Sequence, residues 1–142
     1  MQTIFTAYQH HSTRISPWAQ DFSLLLQRLL LVRIFFDSGL VKLENWEGTL
    51  QLFRDEYKVP LLSPEFAAYS AVFFELSCPV LLAIGLTTRI AILPLLAMTA
   101  VIQYTYDQNI AHYFWATLLF NLLAYGAGRW SLDHYLHKKF CR

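Results

Sequence analysis

LLLQRLLLVRIFFDSGLV, residues 24–41, is an apolar run in whose middle two opposite charges, Arg33 and Asp37, sit one helical turn apart, with Arg28 nearer its start. Ten apolar residues from Leu24 to Phe36 each favour insertion into a bilayer by about 0.3–0.6 kcal/mol, whereas a central Arg and Asp each oppose it by about 2.5–3.5 kcal/mol. The two sums nearly cancel, so the segment inserts only if the charges neutralise one another or meet partners on other helices. Four-residue spacing puts both on one helix face, with Cβ atoms roughly 5–6 Å apart, and a direct pair is available. Glu75, in the middle of a second apolar run, is the expected further partner of Arg33. One cation between two carboxylates leaves a surplus negative charge, which a proton on Glu75 or a cation from outside would remove.

Composition places this pattern in a membrane. Of 142 residues, 56% are hydrophobic and only 15% charged, and the mean hydropathy is +0.35, too apolar for an ordinary soluble domain. Four runs approach the about 20 residues that a helical crossing needs: Phe22 to Leu43, Phe66 to Leu86, Arg89 to Tyr106 and Ala111 to Gly126. The expected fold is all-α, a four-transmembrane-helix bundle. The first run is not a signal peptide, because Arg33 and Asp37 break it and no small-x-small cleavage site follows. The chain divides into a lead-in (1–21), a membrane domain (22–136) and a basic tail (137–142).

Arg14, Arg28, Arg89, Arg129, Lys138, Lys139 and Arg142 fall on one side of this plan, against Lys42, Arg54 and Lys58 on the other. The cationic side stays inside, so both termini are expected in the cytoplasm of a multi-pass protein of the bacterial inner membrane. The net charge of +1 and the lack of a dense basic stripe exclude nucleic acid as a partner. The lipid bilayer is the first partner implied.

The first loop, Glu44 to Glu65, faces the exterior. Trp46, Leu50, Phe53 and Tyr57 recur in it at helical spacing, which predicts a short interfacial helix, either a lid over the outer mouth or a plain anchor. Pro60 and Pro64 are expected to stop it. Gln103 and His112 sit at the outer ends of the third and fourth runs and are expected to join Asp37 around a cavity beneath the loop, with Asn121 deeper, bridging helices. No metal site is expected. His10 with His11 and His134 with His137 lie in the flanks, and Cys78 and Cys141 form no C-x-x-C pair.

Near the C-terminus, Gly126 and Gly128 permit a turn, Ser131 can cap a short surface helix, and Asp133 favours its first turn, with Arg129 and Trp130 anchoring it at the inner headgroups. Together with Arg33 leading to Gly39 and Lys42, Phe74-Glu75-Leu76 and GLTTR (85–89), this GAGRWSLD segment (126–133) resembles the DoxX family of small bacterial membrane proteins. The resemblance runs from about Leu24 to Leu136. It implies a four-helix fold and carries over Arg33, Glu75 and Arg89. Relatives include the membrane subunit of a thiosulfate:quinone oxidoreductase and parts of complexes that handle thiols and oxidative stress.

The resulting expectation is a membrane subunit of an oxidoreductase system whose cavity, near Arg33, Asp37, Glu75 and His112, receives a quinone-like or small polar ligand. Glu75 or His112 would supply protons and Arg33 would steady the oxyanion. Electrons must come from a soluble or membrane partner, because the chain lacks a dithiol, a Gly-rich dinucleotide turn and paired haem-ligating histidines. A small-solute or metal-handling carrier, acting as a homodimer, and a scaffold for a soluble partner remain open as alternatives.

Overall fold

The computed structural model describes residues 17–140, all in helices and the turns between them. Most of the lead-in, with His10, His11 and Arg14, lies outside the described residues, as do Cys141 and Arg142.

Helix α1, Pro17–Glu44, opens on a proline, whose missing N–H costs nothing in a first turn. It buries Leu24, Arg28, Leu31, Phe35, Gly39 and Lys42, a stripe spaced by three and four residues. Arg33 and Asp37 fall on the opposite side. A short α2, Trp46–Leu52, follows at once, with the Asn45 side chain accepting from the Gly48 N–H at 3.1 Å. It passes into a π-helical turn, Phe53–Tyr57, which Lys58 ends in a left-handed conformation (φ 41°). The expected single interfacial helix is thus split in two. Its Phe53 and Tyr57 rings are buried on Ala67, Ala68 and Ala71 rather than in headgroups.

Helix α3 is Pro64–Ile84. Pro64 begins this helix, and Ser63 caps it by accepting from the Phe66 N–H at 3.3 Å. Gly85 (φ 68°) ends it: its N–H reaches Leu82 O at 3.2 Å and the Leu86 N–H reaches Leu81 O at 2.9 Å, a Schellman pair only a residue free of Cβ strain makes easily. Helix α4, Thr88–Thr105, takes its cap from far along the chain, the Asp133 carboxylate accepting from the Thr87 and Thr88 N–H groups at 2.7 and 3.0 Å. Asp133 therefore caps α4 in addition to lying, as expected, in the first turn of its own helix. Helix α5 is Ile110–Tyr125, and α6, Leu132–Phe140, continues past the expected boundary at 136 into the basic tail.

The four long helices alternate in direction, and each packs on two others: α1 on α3 and α5, α4 on α3 and α5. Leu31, Leu82, Ile92, Leu95, Leu119 and Leu122 fill the centre with no exposed surface. Large apolar side chains also cover the outside, among them Phe66, Phe73, Ile90, Leu93, Phe114 and Phe120. Patches of this extent belong against lipid or another protein. Helices α3 and α4 are long and apolar enough to cross a membrane; α5 is apolar but has 16 residues, and α1 is long but charged.

Gly39 sets the closest approach of α1 to α3, since a Cβ there would lie 3.1 Å from Glu75 Cβ and 2.9 Å from Leu76 Cδ2. Gly39→Ile is expected to part the helices and cost about 1–3 kcal/mol, read as denaturant unfolding in lipid or detergent. Asp133→Ala should cost about 1 kcal/mol by the same measurement, and raise hydrogen exchange at the Thr87 and Thr88 amides most.

Candidate functional site

The close α1–α3 crossing brings Lys42 against Glu75. Lys42 Nζ lies 2.8 and 3.0 Å from the two carboxylate oxygens and donates its third hydrogen bond to Ser38 Oγ at 2.7 Å. Glu75 is 2% exposed and Lys42 9%. All three ammonium protons are used, which makes burial of both charges tolerable. Thr49 Oγ1 donates to the Lys42 carbonyl at 3.0 Å and ties the following helix to the same point.

Beside this pair an apolar cleft of about 200 Å³ opens between α3 and α4. Ala67, Ser70, Ala71 and Ala97 leave the space; Phe74, Pro94, Met98 and Ile102 wall it; Phe53 and Tyr57 form its roof. Lys42 and Glu75 are its charged groups. Burial pushes the Tyr57 phenol up to about 12, with Tyr106 and the carboxylates of Glu75 and Glu56 adding to the effect, so it is a neutral donor at ordinary pH. The arrangement offers an apolar ring a slot between small side chains, with an ammonium donor and a carboxylate at one wall.

The expected constellation is regrouped. Arg33 and Asp37 do pair, with Nε 3.7 Å from Oδ2, but their side chains are 84% and 63% exposed on the outer face of α1. They do not meet Glu75. At about 100° per residue, Arg33 cannot share the face of Arg28, Phe35 and Lys42, and the ammonium of Lys42 takes the place foreseen for the guanidinium. Gln103 and His112 are brought together, Oε1 to Nδ1 at 2.9 Å, both buried, yet they border a separate cleft of about 360 Å³ between α4 and α5. Asn121 Nδ2 donates to Gln27 Oε1 at 2.7 Å and joins α5 to α1.

The remaining residues gather at the other end of the helices. Arg89 donates to Ala124 O at 3.2 Å. The Arg129 N–H and guanidinium both bind Asp21. The Trp130 carbonyl accepts from Arg28 Nη2 at 2.8 Å, and its ring meets Trp18 edge-on at 5.6 Å. Ser131 Oγ accepts from the His134 N–H at 3.2 Å. Arg28 is 1% exposed, and among the described residues its Nε and Nη1 have no hydrogen-bond partner. By flank, Arg28 counts among the inner cations and Lys42 among the outer ones, and Lys42 enters the family resemblance as well, with no partner expected for either. Both share the three-four spacing of Leu24, Leu31 and Phe35, but the opposite side of α1 is equally apolar, so spacing alone does not single them out.

Among the described residues no group of three His, Cys or carboxylate side chains stands ready for a metal ion. No curated protein and no solved structure matches the chain. The DoxX family model matches residues 23–108, more than half of the 142. The match runs from α1 to just beyond α4, contains Ser38, Lys42 and Glu75, and ends before α5 and the Gly126–Asp133 segment. The chain belongs to the DoxX family of membrane proteins, a family often associated with oxidoreductase functions.

Proposed function

We propose that this protein is an integral membrane subunit of an oxidoreductase system, and that the cleft beside Lys42 and Glu75 binds the head of a quinone-like molecule. The observation that carries the reading is a buried, fully hydrogen-bonded ammonium and carboxylate at the wall of an otherwise apolar slot. Ionisable groups are costly among apolar helices, and those that persist there commonly serve a ligand or a proton.

In this reading α1, α3, α4 and α5 each cross the bacterial inner membrane and both termini face the cytoplasm. The gathering of Arg28, Arg89 and Arg129 at one end of the helices supports that orientation. On binding, the Lys42 ammonium turns the hydrogen bond it gives Ser38 Oγ toward a carbonyl oxygen of the quinone, keeps its two bonds to Glu75, and steadies the negative charge that develops there, a role the sequence assigns to Arg33. A partner protein supplies two electrons, and two protons complete the quinol. Glu75, hydrogen-bonded to the ammonium, is placed to pass one of them. Small side chains admit the ring, and the Phe53 and Tyr57 roof shields it from the exterior.

Titration of the purified protein in lipid with a short-tailed benzoquinone, followed by tryptophan quenching, tests the reading. Saturable binding is expected, weakened at least tenfold by Ala97→Leu, which fills the cleft without touching the ion pair, and by Lys42→Met. A tenfold loss corresponds to about 1.4 kcal/mol. Absence of saturable binding, or binding that ignores both substitutions, overturns it.

A further inference from the structure

Among the described residues Arg33 and Asp37 have no partner from any other helix, and their surroundings say what would cover them. On α1, Arg33 lies between Gln27 and Phe35. Gln27 is bonded to Asn121, and the Phe35 ring meets Trp115 edge-on at 6.1 Å. Asn121 and Trp115 bracket the middle of α5, so Arg33 is level with the middle of that helix and far from either end of α1. If α1 spans the bilayer, as the functional reading holds, the pair faces acyl chains unless protein covers it.

The face around it is built for a helix. Leu26, Leu29, Arg33, Phe36 and Leu40 follow one another by three, four, three and four residues, the spacing of a seam between two packed helices, and Asp37 flanks the seam. Leu26, Leu29 and Leu40 are exposed. Charge selects the occupant. About a two-fold axis along the membrane normal, two copies of α1 run side by side, and Arg33 of each lies diagonally opposite the partner's Asp37. The two cations and two carboxylates then close into one neutral ring, and a surface that carries both signs one turn apart is its own complement.

We propose that the outer face of α1 is a symmetric dimer interface, at which the Arg33–Asp37 pair of one copy closes a four-charge ring with that of a second copy of this chain. The cleft at Glu75 lies on the other side of α1, against α3 and α4, and stays open in such a dimer.

The test uses the full chain in lipid nanodiscs, with Cys78→Ser and Cys141→Ser, and Leu29→Cys as the crosslinking reporter. The parent is expected to crosslink to a dimer. Arg33→Asp and Asp37→Arg, each made alone, set four like charges together and should cut crosslinking at least tenfold. Mixing the two variants should restore it, because each then supplies the charge the other lacks. A parent that stays monomeric overturns the proposal, as do single variants that dimerise normally, or a mixture no better than its parts. So does recovery of α1 crosslinked only to a different protein. Labelling of Leu40→Cys by an impermeant maleimide tests separately whether this face is in water. Quinone titration of the monomeric variants separates failure here from failure of the functional reading.

Discussion

A buried ammonium and a buried carboxylate hold one end of this protein together. Removing either charge from water costs several kcal/mol, offset only while the partner and its hydrogen bonds stay in place. The pair thus specifies where α1 crosses α3, and Gly39 makes that crossing close enough for Lys42 to reach both oxygens of Glu75. Ser38 takes the third proton of the ammonium, and Thr49, held to the Lys42 carbonyl, directs α2 back over the helices. The roof of the cleft follows from that direction, since Phe53 and Tyr57 then land on the alanine face of α3.

The opposite end uses polar ties of another kind, most of them to main-chain groups. Asp133 binds two amides of the α3–α4 turn, Arg28 a carbonyl beyond α5, and Asp21 both an amide and the guanidinium of Arg129. These contacts link segments more than forty residues apart in the chain. Between the two polar ends lies an apolar centre without exposed surface. One end is therefore pinned by bonds that mostly reach main-chain groups, whereas the other rests on side-chain pairs, Lys42 with Glu75, Gln103 with His112 and Arg54 with Glu65, and on a π-helical turn, whose hydrogen bonding is looser than that of an α-helix.

The four long helices were legible because each is a sustained apolar run with polar or proline-bearing ends, and their observed limits fall within a few residues of the expected ones for α3, α4 and α5. Helix α1 starts earlier, at Pro17, because its first turns pack on the Gly126–Ser131 segment, and no local pattern announces a contact between residues 108 apart in the chain. The rotation of α1 was not legible from hydrophobicity. Leu26, Leu29, Phe36 and Leu40 make one side as apolar as Leu24, Leu31 and Phe35 make the other, so nothing in the periodicity says which charges turn inward. Arg33 with Asp37 drew attention as the closer pair, yet Arg28 and Lys42 share the inward stripe. Glu75 was recognisable as a buried group; its partner was not. Gln103 and His112 were expected with Asp37 around one cavity; their places at adjacent helix ends bring them to each other at a separate cleft, and Asp37 is on the exposed side of α1.

A double-mutant cycle on Lys42→Met and Glu75→Leu, with unfolding free energy measured in lipid, reads the central interaction directly. Each single change strands a buried charge and should cost about 3–5 kcal/mol, while the double change, which strands none, should lose far less than the two losses added together. Losses that simply add would mean that the two side chains do not depend on one another, and would contradict the account.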